Sequence, residues 1–164
     1  MIGEKVQDAF NEQTNAELYS AYLYLSMAAQ FEAMNLRGFA SWMRQQAREE
    51  VGHAMKFFAH VNERGGRVTL TRIDTPPKEW PSPLAAFEDA YRHEQKVTGL
   101  IDKLVTLASA EGDNAGGIFL QWFVSEQVEE EASVDEVVQK LKAIKDSANG
   151  LLMLDEALAK RGAD

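Results

Sequence analysis

Phe39-Ala40-Ser41-Trp42-Met43-Arg44-Gln45-Gln46-Ala47-Arg48-Glu49-Glu50-Val51-Gly52-His53-Ala54-Met55-Lys56-Phe57 decides how the rest of the chain is read. Phe39, Met43, Gln46, Glu50, His53 and Phe57 follow one another at steps of 4, 3, 4, 3 and 4. Such steps mark one face of a helix, the face that packs on a partner helix. Glu50 and His53 therefore share one side of the helix, one turn apart, on a stripe that a bundle buries. An ionised carboxylate there is expensive unless it is paired or bound to metal. Carboxylate beside imidazole is a donor set that suits a transition metal.

Working outward, the same pattern appears on three more segments. Residues 4–33 read as one helix with the seam Phe10, Gln13, Glu17, Ala21, Tyr24, Ala28, Phe31. A break at Asn35-Leu36-Arg37-Gly38 precedes the second helix, 38–64, which stops at Gly65-Gly66. Residues 66–82 carry Thr75-Pro76-Pro77 and Trp80-Pro81-Ser82-Pro83, with Val68-Thr69-Leu70 read as briefly extended. Proline excludes helix interior there. A connection this long in a helical domain spans the bundle from end to end. Ser82-Pro83 then caps a third helix, 83–110, with the seam Leu84, Phe87, Tyr91, Glu94, Thr98, Ile101, Val105. His93 falls one residue off that seam and reads as structural or exposed.

The fourth helix, 115–145, has the seam Leu120, Phe123, Gln127, Glu130, Val134, Val137, Leu141, with Glu126 and Glu129 flanking it and Glu131 pointing elsewhere. Asn149-Gly150 is read as a break, and Leu151, Leu152, Leu154 and Leu158 as a short apolar fifth helix, 148–160. The expected fold is all-α: two antiparallel helix hairpins joined by a long crossover, with a C-terminal fifth helix, in a single domain over 1–164.

Each seam holds a polar interruption. Any one of them alone is explained by an exposed glutamate on a misread face, and Tyr24 alone by an ordinary core tyrosine. Their spacing argues otherwise. Glu17 and Glu50 are 33 positions apart, as are Glu94 and Gln127, and the two pairs are offset by 77. Each second member is followed three residues on by another candidate ligand, His53 or Glu130. At about 1.5 Å per residue these groups lie about 20–25 Å from their hairpin turns, so all four helices present them at mid-bundle. Glu17, Glu50, Glu94 and Glu130 carry four negative charges, which two divalent ions would neutralise. Without metal the carboxylates repel and hold protons, so metal binding should release protons. Carboxylates with one imidazole favour iron or manganese over copper. Glu50, central on the helix that bears the pair, is the candidate bridge between two ions. Glu49, Glu126, Glu129 and Glu130 make a second, all-oxygen cluster, or else a solvated rim.

Composition narrows the class. The net charge is −9 and the pI about 4.9, which argues against a nucleic-acid or anionic-membrane surface and suits a protein that gathers cations. There is no cysteine, which excludes thiolate zinc and iron–sulfur sites. No apolar signal core follows Met1, no window is apolar enough to span a membrane, and the expected location is cytoplasmic.

With Asn15-Ala16-Glu17-Leu18-Tyr19-Ser20-Ala21-Tyr22-Leu23-Tyr24, Glu49-Glu50-x-x-His53, Glu94 and Glu126-Gln127-x-Glu129-Glu130 in place, the chain resembles the non-haem prokaryotic ferritins over essentially its whole length. The ferritin-like four-helix bundle is itself a known carrier of such carboxylate di-iron sites. The resemblance implies that Glu17, Glu50 and His53 bind one iron and Glu50, Glu94 and Glu130 the second, with Gln127 close by. It implies a third iron site at Glu49, Glu126, Glu129 and Glu130. Tyr24 is the adjacent tyrosine implied to supply an electron, and Trp122 a nearby aromatic.

The implied activity is oxidation of Fe(II) by O2 or H2O2, with ferric oxide stored inside a shell of twenty-four subunits. Gly52 stands where bacterioferritins carry a haem-ligating methionine, so no haem is expected; Gln127-x-x-Glu130 replaces their second Glu-x-x-His. Rubrerythrins require cysteines, and DNA-protecting mini-ferritins build their sites between subunits. Two other readings compete: a di-iron oxidase or peroxidase that stores no mineral, and a plain helical bundle that binds a partner through its surface. The long acidic cluster and the apolar fifth helix favour storage.

Overall fold

The computed structural model describes residues 1–162; the last two positions of the expected 1–164 domain lie outside the described residues. It contains five helices: α1 (Glu4–Ala33), α2 (Arg37–Glu63), α3 (Pro83–Ala110), α4 (Asn114–Ile144) and α5 (Ala148–Leu158). No strand occurs among the described residues, so Val68-Thr69-Leu70 is unpaired loop. No helix among them is long and apolar enough to cross a membrane.

Local chemistry sets the helix ends. Asn35 turns the chain between α1 and α2 at φ 59°, a conformation asparagine tolerates. Gly65, at φ 72°, ends α2, and the Gly66 amide donates back to the Val61 carbonyl at 2.9 Å. Ser82 Oγ accepts from the Ala85 amide at the start of α3. Asp113 caps α4 through the Gly116 amide and also pairs with Arg64 at 2.8 Å, which ties the α3–α4 turn to the end of α2.

The crossover, residues 66–82, is held along α1 by a ladder of side-chain amides. Gln7 accepts from the Arg67 amide, Asn11 donates to the Arg67 carbonyl, and Asn15 donates to the Arg72 carbonyl. Gln30 holds both the amide and the carbonyl of Trp80 at 2.7 Å. From Gln7 to Gln30 the ladder covers about 35 Å of α1.

Two expectations are corrected. Asn149-Gly150 does not break the chain but lies in the first turn of α5; the break is at Lys145–Ser147, where Lys145 has φ 50° and Ser147 caps the Gly150 amide. Glycine is required at 150 because a Cβ would come within 2.9 Å of Ile144. On α3, Leu84, Tyr91, Thr98 and Val105 are half-buried at the margin. Ala86, Ala90, Val97, Leu104 and Ala108 fill the centre with Phe87 and Ile101, the three alanines taking positions where the buried face leaves room for a small side chain.

The core has two apolar halves. One gathers Tyr24, Met27, Phe31, Phe39, Met43 and Phe87 with the buried face of α5; the other gathers Phe10, Phe57, Ile101, Leu120 and Phe123. Between them lies a buried polar layer: Gln13, Glu17, Gln46, Glu50, His53, Glu94, Gln127 and Glu130. The fifth helix docks on α2, where Asp155 Oδ1 accepts from the Phe39 amide at 2.9 Å. A Cβ at Gly38 would meet the Asp155 carbonyl at 1.7 Å, so only glycine permits this docking.

Candidate metal centre

The polar layer draws one contribution from each bundle helix: Glu17 from α1, Glu50 and His53 from α2, Glu94 from α3, Gln127 and Glu130 from α4. Ligand atoms of Glu17, Glu50 and His53 lie within 4.8 Å of one another, and so do those of Glu50, Glu94 and Glu130. Glu50 belongs to both groups, so two cations held by them would share it. A third group joins His53, Glu126 and Glu130.

Amides and one phenol orient the carboxylates. Gln13 donates to Glu17 at 2.8 Å, and Gln46 donates to Glu50 at 2.9 Å and to Glu130 at 2.6 Å. Gln127 Nε2 lies 3.2 Å from both the carboxylate and the backbone carbonyl of Glu94. The fully buried Tyr24 hydroxyl donates to the other oxygen of Glu94. His53 Nδ1 is 3.1 Å from Glu50, while Nε2 faces Glu126 at 3.7 Å. The Trp122 ring stands edge-on to His53 at 5.5 Å, with the Lys56 ammonium over the ring at 4.2 Å. Glu131 turns away and accepts from Thr98. His93 is half-buried and bonded to Ser20 Oγ at 2.7 Å.

Burial raises the carboxyl pKa values, against a smaller opposing effect of His53 on Glu17, Glu94 and Glu130. Desolvation, then the Glu50 charge, pushes Glu17 up to about 8. Desolvation with the charges of Glu94 and Glu130 holds Glu50 well above its ordinary value. Desolvation raises Glu130 to about 7, with Glu94 adding to it, and Glu94 to about 6. Tyr24 is pushed upward by burial and by Glu94, so it stays a neutral donor.

The residues fit a cation. Glu17 Oε2 is fully buried and is the single such side-chain polar atom without a hydrogen-bond partner among the described residues. Glu17 belongs to the group formed with Glu50 and His53, and an orphaned buried carboxylate oxygen is costly unless a cation takes it.

The outer acidic residues are arranged differently from the inner ones. Glu126 and Glu130 approach His53, Glu129 is exposed, and Glu49 pairs with Arg161 at 2.8 Å. The structure therefore does not bring Glu49, Glu126, Glu129 and Glu130 into one ligand group. Sequence reasoning passed over Gln13 and Gln46 as site residues. The signal was present: each stands four residues before an inner glutamate, the i, i+4 spacing of a side-chain pair. Arg161 gave no such signal.

Residues 7–144 match the family described as ferritin-like domain. A bacterial non-heme ferritin of Bacteroides fragilis is 45% identical over 161 residues, 98% of this chain and 100% of that protein. One of Staphylococcus saprophyticus is 40% identical over 100% of this chain and 98% of its own length. Among solved structures, an open pore ferritin from the archaeon Archaeoglobus fulgidus superposes with a TM-score of 0.97 at 55% identity, covering 98% of this chain and 99% of that one. A closed form of the Archaeoglobus fulgidus ferritin engineered by mutagenesis superposes equally well, at 55% identity and 98% coverage of both chains.

Proposed function

Because this chain belongs to the ferritin family, we propose that it stores iron: it binds Fe(II), oxidises it within each subunit, and deposits ferric oxide inside a cage of its own copies. The observation that carries this reading is Glu50, shared by two buried ligand groups, one of which includes Glu17, a carboxylate with a buried oxygen that has no hydrogen-bond partner. Fe(II) is the substrate. Glu17, Glu50 and His53 receive one ion, and Glu50, Glu94 and Glu130 the other. Two ions that share one carboxylate each give one electron, which with two protons reduces O2 to H2O2 or H2O2 to two waters, the work of a ferroxidase.

The chain's own groups prepare this step. Gln13, Gln46 and Gln127 fix the carboxylate oxygens before metal arrives. The raised carboxyls hold protons that leave as Fe(II) binds, and the buried layer then carries no net charge. Where O2 is reduced past the peroxide level, Tyr24 supplies a further electron, its phenolic proton passing to Glu94, which accepts its hydrogen bond. Gln127 stays beside Glu94 as a support.

Assembly is favoured by what a single subunit leaves uncovered. Tyr22 and Leu25 on α1, Ile118 and Val128 on α4, and Leu152 and Met153 on α5 are all about half or more exposed. These side chains are available to pack against other copies of the chain. The acidic balance helps draw Fe(II) inward. Twenty-four subunits, a cytoplasmic location, no haem, and no nucleic-acid or membrane partner complete the proposal.

Aerobic loading tests storage. Excess Fe(II) added to the metal-free protein, followed by size separation, should leave iron per chain far above the roughly three ions that the bundle's own ligands can hold. The iron should travel with a very large particle. Iron stopping at that level in a small species would assign the protein to the non-storing oxidases.

A further inference from the structure

Arg161, in the turn that follows α5, reaches back across the bundle to α2. Its Nη2 is 2.8 Å from Glu49 Oε2 and 2.8 Å from Gln46 Oε1. Its Nη1 approaches the Trp42 carbonyl at 3.4 Å, and the guanidinium lies over the Trp42 ring at 4.1 Å. The other oxygen of Glu49 accepts from Gln45 at 3.2 Å. Both oxygens of Glu49 are thus engaged by donors.

The partners of Gln46 follow from this. Arginine has only donors, so Gln46 presents its oxygen to Arg161 and its amide nitrogen to Glu50 and Glu130. The guanidinium is therefore a cation seated one amide away from the buried carboxylates. Next to it stands the group of His53, Glu126 and Glu130. The charge of Glu49 reaches Glu130 as well, since it helps to raise that carboxyl's pKa.

We propose that Arg161 is the resident counter-ion of the outer acidic cluster, and that a divalent cation must displace its guanidinium from Glu49 to bind there. The turn after α5 thereby sets the affinity of the outer site and touches the inner pair only through Gln46. This rests on the reading of Glu49, Glu126, Glu129 and Glu130 as an outer iron site. Displacement is feasible because the pair is partly exposed, with side-chain exposures of 22% for Arg161 and 36% for Glu49. The inner carboxylates have no comparable competitor: among the described residues their direct ion-pair partner is His53.

The test is calorimetric and spectroscopic titration of the assembled metal-free protein with Co(II), which binds without being oxidised by the site. In Arg161→Gln the third and weakest class of ions should tighten by about fivefold or more. The first two classes should shift by less than the third, since Arg161 reaches their carboxylates only through Gln46. Arg161→Lys, which keeps the charge and loses the fork, should fall between wild type and Arg161→Gln. In a Glu49→Gln background, Arg161→Gln should have no further effect. A third class with the same affinity in wild type and Arg161→Gln would overturn the proposal. So would weakening of all three classes together with a lower melting temperature, which would mark Arg161 as a structural residue. If neither protein binds a third ion while the first two remain, the outer-site reading fails and takes this proposal with it, leaving the inner centre intact.

Discussion

The double variant Glu50→Ala, His53→Ala is expected to lose rapid Fe(II) oxidation, by at least about a hundredfold, while keeping its fold and assembly. Glu50 is the residue common to two ligand groups, so its removal takes a donor from both ions at once. His53 is the single imidazole of the layer, and its loss leaves one group with Glu17 alone. The fold should survive because the two apolar halves of the core lie on either side of the polar layer and do not depend on it. Removing a buried, repelling carboxylate should leave the melting temperature of the metal-free protein unchanged or higher. Stopped-flow absorbance of ferric products at two Fe(II) per chain or fewer, with thermal melting beside it, checks both halves. Oxidation at the wild-type rate in the double variant would dismiss the site.

The metal-free protein is expected to lose stability as pH rises from about 5 to 9, and a redox-inert divalent cation should reverse the trend. Glu17, Glu50, Glu94 and Glu130 all have pKa values raised by burial, with Glu17 at about 8, Glu130 at about 7 and Glu94 at about 6. Below the unfolded value near 4.5 these carboxyls are protonated in both states. Above it the unfolded chain has released protons that the native state still holds, so stability falls as pH climbs through the folded values.

The slope is about 1.4 kcal/mol per pH unit for each proton held, so Glu17 alone could weaken the fold by about 5 kcal/mol over the whole window. Zn(II) replaces those protons. Its stabilisation should therefore grow with pH, and its binding should release protons at pH 6–7 and few near pH 9. Melting curves at several pH values with and without Zn(II), and titrations in buffers of different ionisation enthalpy, read this out. A metal-free melting temperature that is flat or rising from pH 6 to 8.5 would contradict it.

The four long helices were legible because each carries an uninterrupted 3–4 stripe, and their ends because glycine, proline and serine have specific backbone roles. The inner ligands stood out because a charged residue on an apolar stripe conflicts with burial. Glu17 and Glu94 are recognisable on that ground and by their matching 33-residue spacing to Glu50 and Gln127, while Glu50 and His53 also share a face. What was not legible depends on docking across the chain. Arg161 lies 112 positions from Glu49, and nothing periodic links them; their contact exists because Asp155 caps α2 and Gly38 lets α5 come close. The misread break at Asn149-Gly150 has a similar origin: that glycine answers a close approach by Ile144 rather than a turn. On α3 the stripe drifted because alanines, weak as sequence signals, occupy buried positions.

In the proposed function each subunit binds two iron ions in its polar layer. The measurement that tests this most directly is anomalous diffraction at the iron edge from crystals soaked anaerobically in Fe(II). Two peaks per subunit are expected, one among Glu17, Glu50 and His53 and one among Glu50, Glu94 and Glu130, with Glu50 touching both. Ordered iron elsewhere on the chain, with no peak between α1, α2, α3 and α4, would contradict it.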